Sequence, residues 1–193
     1  METKNSAFKD FISPILVLVA ICFAVTFLLA FTYGITAPII ADNTAKAASE
    51  ARSALLEDAN GEFEDANVEL REYEPGKVYA VDCYKAKNGS GIVVTVKSNS
   101  YGGLLTAMVG INKDGEITGV QITEHADTPG VGTKAHDSTH LSQYIGKTDL
   151  GSNNIKAHAD DVVEATGASV SSSAVHKAVY CALEQFKAMG GVN

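Results

Sequence analysis

The sequence predicts a single membrane-spanning helix followed by an α+β domain in which a C-terminal helix packs on one face of an antiparallel sheet. Three patterns carry that prediction. Residues 11–41 contain no charged side chain, and four β-branched or apolar runs succeed one another between residues 78 and 124. After Ser171, apolar side chains return with the 3.6-residue period of a helix.

The uncharged run has an almost purely apolar middle, "ILVLVAICFAVTFLLAF". A bilayer's hydrocarbon core requires about 20 such residues in a helix. A secretory signal peptide would carry an apolar core of only about 7–15 residues, so the run reads as a retained anchor over residues 11–37, preceded by a short tail, 1–10. Lys4 and Lys9 lie before the span and Lys46 and Arg52 after it, so positive charge gives almost no vote on orientation. Pro38 is expected to break the helix. Beyond it, "ADNTAKAASEARSALLED" has the composition of a juxtamembrane helix, and "ANGEFEDANVELREYEPGK" reads as a solvated acidic loop with one short strand, the two together forming a linker over residues 38–76.

Residues 77–193 then form the domain. "VYAVDCY", "GIVVTVKS", "LLTAMVGIN" and "ITGVQITE" are strand-like and separated by glycine-containing turns, with Asp114-Gly115 supplying a hairpin between the last two. A long irregular stretch, "HADTPGVGTKAHDSTH", precedes a short helix around "LSQYIG". Loops of that length inside compact domains are often functional. The final helix presents Ala174, Val175, Ala178, Val179, Ala182, Leu183 and Phe186 along one stripe.

Charge excludes some functions. The formal net charge is −8, and because Glu2 and Asp10 cancel Lys4 and Lys9, all of it falls after the span. An acidic domain without a basic patch is not built to neutralise nucleic-acid phosphates or to dock on anionic headgroups. The three cysteines, Cys22, Cys83 and Cys181, form no C-x-x-C pair, so no metal centre is expected. Cys83 and Cys181 are open to two states, a disulfide in an oxidising compartment or two buried thiols.

Three constellations attract chemistry. In "EATGASVSSS", small hydroxyl residues surround Gly167 just before the last helix. The mouth of a helix offers unpartnered N–H groups and the positive end of the dipole, and so accommodates an anion such as a phosphate. The plainer account is that Ser171 caps the helix. In "EHADTPGVG", glycines about a proline turn let backbone approach a flat ligand, with His125 and Thr128 as polar edges; the plainer account is a surface turn. "YGG", Tyr101 to Gly103, is weaker. A serine hydrolase is disfavoured, since no G-x-S-x-G elbow exists and His176 follows Ser169 by two helical turns. His136 and His140 have i, i+4 spacing without the glutamate of H-E-x-x-H, and the five scattered histidines read as solvent-exposed residues.

The anchor, "YGGLLTAMVGINKDGEITGVQITEHADTPGVGTK" and "TGASVSSSAV" together resemble the G subunit of the Rnf complex, the membrane-bound ferredoxin:NAD oxidoreductase, and the related C subunit of the sodium-translocating NADH:quinone reductase. The likeness covers nearly the whole chain in order. The family's loop resembles "HxETPGLG" and its attachment motif "D-x-x-[ST]-G-A-[TS]". The resemblance implies an FMN esterified through its phosphate to a hydroxyl side chain, installed from FAD by a separate flavin transferase.

On the motif, Thr166, Gly167 and Ala168 align and Ser169 takes the attachment position, where most members carry threonine; Val163 stands at the motif's acidic position, with Asp161 and Glu164 nearby. Ser171 and Ser172 are the alternative attachment points. The loop likeness assigns His125, Thr128, Pro129, Gly130 and Gly132 to the flavin pocket, and the charge of Lys134 suits the phosphate.

The implied role is that of an electron-relaying subunit in the bilayer, with no catalytic residue and no metal of its own. Its partners would be flavin and iron–sulfur subunits of an ion-translocating redox complex. The N-terminus would be cytoplasmic and the FMN domain extracytoplasmic. The quinone-reductase C subunit, usually longer between anchor and domain, and a tethered scaffold without flavin are the alternatives.

Overall fold

The computed structural model describes residues 12–158 and 161–192; the expected tail, 1–10, lies outside them. The chain divides into two compact units between Ala47 and Ala48. Helix α1 spans Ser13–Leu55, 43 residues, and contains Pro38. The expected break at Pro38 is therefore corrected. A proline inside a helix forfeits one hydrogen bond and crowds the preceding turn, yet helix-favouring Ala, Lys, Glu and Arg follow it.

In the first unit α1 is long and apolar enough to cross a membrane, as the one such helix among the described residues. Thr26, Thr32 and Thr36 each donate a hydroxyl hydrogen bond to the carbonyl four residues back, so these three hydroxyls need no water.

The second unit is an antiparallel sheet with a layer on each face. The strands are β1 (Phe63–Asp65), β2 (Glu72–Glu74), β3 (Val78–Ala86), β4 (Gly91–Asn99), β5 (Leu104–Asn112) and β6 (Ile117–Glu124). Their order is β1-β3-β4-β5-β6, with β2 also pairing to β3. Two further helices matter later, the short α2 (Ser138–Leu141) and the long α3 (Ser169–Ala188).

Side chains alternate across the pleat. Ile92, Val94 and Val96 of β4 and Leu105, Ala107, Val109 and Ile111 of β5 meet the stripe of α3, Ala174 to Leu183, in the main core. On the other face Val93 and Met108 meet Ala51, Leu55 and Leu56. Burial on both faces explains why β4 is an apolar run rather than an alternating one. Gly110 and Gly119 let the end of α1 approach the sheet: a Cβ on Gly110 would stand 2.5 Å from the Leu55 carbonyl oxygen. Thr118 Oγ1 donates to that same oxygen.

The acidic segment is more ordered than a solvated loop. Both β1 and β2 pair with β3, and the buried Gln185 of α3 holds the backbone between them, accepting from Arg71 N (2.8 Å) and donating to Glu69 O (3.0 Å). Its carboxylates point outward while its backbone is anchored. The Asp114-Gly115 turn is present, with Gly115 at φ +84° and its amide bonded to Asn112 O. Cys83 and Cys181 are buried free thiols.

Candidate functional site

Three segments meet at one end of the sheet: the Ser100–Gly103 turn joining β4 to β5, the loop from His125 that leads into a 3-10 turn at Gly132–His136, and the first turn of α3. Between them lies a pocket of about 480 Å³. Tyr101 contributes from the first segment, Thr128, Val131 and Gly132 from the second, and Gly167 to Ser171 from the third. None of these residues is charged. All three constellations noted in the sequence thus contribute to one pocket.

Helix α3 begins at Ser169, three residues before the expected start after Ser171. Its N-cap is Ala168, and no side chain bonds back to the first turn. The capping role expected of Ser171 is therefore corrected. Ser171 is buried inside the helix with its hydroxyl directed at Asp127, and Ser172, also buried, accepts a hydrogen bond from Ala165 N at 3.0 Å. Ser169 is different. Its side chain is exposed at the pocket, at the mouth of a helix whose first amides no side chain caps.

Behind the pocket sits Asp127, which holds the three segments together. Its carboxylate accepts from Ser100 Oγ (2.6 Å) and Gly102 N (2.9 Å). Burial would raise its pKa, but these bonds, that of Ser171 and the neighbouring His136 more than offset it and keep the carboxyl below its ordinary range. Gly132 closes the arrangement, because a Cβ there would lie 2.9 Å from Asp127 Cβ and 3.0 Å from Ser171 Oγ. The His136 ring packs on His125 with centroids 4.5 Å apart; burial and that neighbour hold its pKa down, against Asp127.

Among the residues singled out in the sequence, Tyr101, Thr128, Gly132, Gly167, Ala168, Ser169 and Ser171 line the pocket. Thr166 is exposed just before it, Pro129 and Gly130 form the outer turn, and Lys134 is exposed on the 3-10 turn; none of these four is a lining residue, nor is His125. The sequence does not mark Asp127, and it marks His136 only by its spacing from His140. An acid next to Thr-Pro in a glycine-rich loop was the available signal, but nothing local announces its partners Ser100 and Ser171. The reading of the histidines as exposed is corrected for His136, whose side chain is only 8% exposed, and for His140 and His176, which are buried. Each of the latter two fills a place between core elements, with the His176 ring bonding Ser152 O and lying 3.4 Å from Tyr144 Oη.

Residues 100–184 match the FMN-binding domain family. Over 175 residues the chain is 29% identical to the G subunit of the proton-translocating ferredoxin:NAD(+) oxidoreductase complex of Clostridium ljungdahlii, covering 88% of each chain. It is 29% identical to the G subunit of the ion-translocating oxidoreductase complex of Methanosarcina acetivorans, over 95% of this chain and 98% of the other. The chain is thus similar to G subunits of ion-translocating oxidoreductase complexes over nearly its whole length. A third relative, the corresponding G subunit of Shewanella baltica, is 34% identical over about half of each chain. The span matching the FMN-binding domain opens at Ser100 and ends inside α3, so it contains every segment of the pocket.

Proposed function

We propose that this chain is a G subunit of this kind, a membrane-anchored flavoprotein that carries FMN esterified to Ser169 and relays electrons within an ion-translocating oxidoreductase complex. The exposed Ser169 hydroxyl carries the reading, because it is free at the pocket and at an uncapped helix mouth while its rivals are buried. Ser171 and Ser172 are buried and engaged by Asp127 and the Ala165 amide.

The pocket suits FMN chemically. A phosphodiester keeps one negative charge, and uncapped N–H groups with the helix dipole favour it there. Gly167, at φ +82° and with open space where a Cβ would be, leaves room for a bulky ester beside Ser169. Tyr101, Val131 and Val170, each at least half exposed, offer apolar surface to a flat ring system. Thr128 adds a hydroxyl at the edge, and Lys134 a nearby cation.

Attachment would form a bond from Ser169 Oγ to phosphorus and break the pyrophosphate of FAD, with AMP leaving and the hydroxyl proton passing to a base of the transferase. Bound there, FMN supplies one- and two-electron redox chemistry. The chain holds it, orients it and presents it to flavin and iron–sulfur partners. The FMN domain lies outside the cytoplasm and the N-terminus inside.

The test is in-gel fluorescence of the denatured full chain after co-expression with a flavin transferase. A fluorescent band that Ser169→Ala abolishes and Ser171→Ala retains supports the attachment. A dark wild-type chain beside an active transferase overturns it.

A further inference from the structure

Asp127 is walled in behind the pocket, its side chain fully buried, and two pocket residues, Gly132 and Ser171, press against it. His136 stands on the carboxylate's other side. Its Nε2 lies 3.1 Å from Asp127 Oδ2, and its side chain is only 8% exposed. Neither ring nitrogen has a well-aligned hydrogen-bond partner in the protein. The same imidazole lines a second cleft of about 440 Å³, bounded by Leu55, Thr118, Ile122, Leu141 and Ile145. One carboxylate and one imidazole therefore separate two cavities.

We propose that His136 is a proton-binding site linked to the electron occupancy of the FMN pocket, taking up a proton from the second cleft as the pocket is reduced. The inference rests on the FMN reading above. Asp127 is a fixed negative charge, so the wall carries one net charge when His136 is neutral and none when it is protonated. At 3.1 Å the carboxylate favours the N–H at Nε2 without a well-aligned hydrogen bond, and Nδ1, which has no partner in the protein, is left to accept the proton.

When a one-electron carrier of the iron–sulfur class delivers an electron to the pocket, its charge falls by one. A proton that enters by way of the second cleft and is bound at the imidazole offsets that change; on re-oxidation electron and proton both leave. The linkage is reciprocal, since an electron that tightens the proton is itself held more tightly by it. Charges this close interact strongly away from bulk water.

The groups facing His136 set where this happens. His125 and burial oppose a charged ring, Asp127 and Asp137 favour it, and His140 of α2 adds a second buried imidazole whose Nε2 has no hydrogen-bond partner in the protein. Their balance leaves the oxidised protein's His136 below the ordinary histidine range.

The experiment measures the flavin midpoint potential against pH, from 5 to 8, on the full flavinylated chain in nanodiscs, for wild type and His136→Gln. An inflection in the wild type that is lost in His136→Gln at equal covalent flavin supports the proposal; an inflection that survives overturns it. In the wild type, the imidazole proton resonances of His136 are followed through the same pH range in the oxidised and reduced protein. A titration midpoint that rises on reduction supports the linkage, and an unchanged midpoint overturns it, whether or not the variant folds. Failure of the FMN reading shows itself earlier and separately, as a chain without covalent flavin, and removes the proposal with it.

Discussion

Gly102→Ala tests whether the turn and the loop beside the pocket are held at backbone contact. An ideal Cβ at Gly102 would stand 2.0 Å from Ala126 O, 2.4 Å from Ala126 C and 2.8 Å from Asp127 N. Real Cβ atoms do not come within 3.0 Å, so the two backbones must part by about 1 Å. Overpacking of that kind costs about 1–3 kcal/mol. Parting also stretches the 2.9 Å bond from Gly102 N to the buried Asp127 carboxylate, and a hydrogen bond to a charged group contributes about 1.5–3 kcal/mol. The two losses overlap, so about 2–4 kcal/mol is expected, out of a total stability of about 5–15 kcal/mol. For a domain of this size that lowers Tm by about 5–15 °C. Thermal melting of the full chain in detergent, with covalent FMN measured by mass, is the assay. Gly146→Ala is the comparison, since Gly146 has φ +80° but open space for a Cβ, and it should cost only about 1 kcal/mol. A Gly102→Ala chain that melts within 2 °C of wild type (roughly 1 kcal/mol) and loads FMN fully would refute the contact argument.

Three further outcomes follow from the same geometry. Ser172→Ala leaves the Ala165 amide without its acceptor and should cost about 1–2 kcal/mol in urea unfolding, yet keep the flavin ester on Ser169. Asp127, held below its unfolded value of about 3.9, contributes stability that is present above that pH and is lost as pH falls through the folded value; urea midpoints from pH 5 to 3 should therefore drop more steeply in wild type than in Asp127→Asn. Burial pushes the Cys83 thiol up to about 12 and the Cys181 thiol up to about 11, so neither should react with a maleimide in the native chain at pH 7, and both should label in denaturant.

The elements were legible where local pattern decides them. The β-branched runs became β3 to β6, and the stripe from Ala174 to Leu183 became the buried face of α3, because period alone determines which side chains share a face. Pro38 misled because proline's local cost says nothing of the helix-favouring sequence on either side. The acidic segment misled in the same way, since its charges report the solvent side while Gln185, more than a hundred residues later, secures its backbone. Of the pocket, the small residues near Ser169 and the loop after β6 could be read, because anion chemistry and tight turns have local signatures. Asp127 could not, for its meaning lies in Ser100, Gly102, Ser171 and His136, which only the fold assembles.

The exposure of this pocket bears on why a flavin-carrying protein would use a covalent bond at all. Tyr101 is 76% exposed and Val131 and Val170 about half, so the walls bury only part of any ring laid on them. A reversible ligand must draw its affinity from burial that exceeds its lost freedom. A site open enough to expose a flavin to a redox partner is poorly placed to supply that burial. Esterification removes the conflict, because a tethered ligand re-binds at high effective concentration however weakly the walls hold it. Under the proposed attachment, the rim residues would govern the flavin's orientation and its access to partners rather than its retention. Val170→Ala should therefore leave the covalent flavin content at the wild-type level while lowering the flavin's fluorescence anisotropy, as a looser ring reorients faster. A Val170→Ala chain that loses its flavin during purification would show that the walls, and not the ester, retain it.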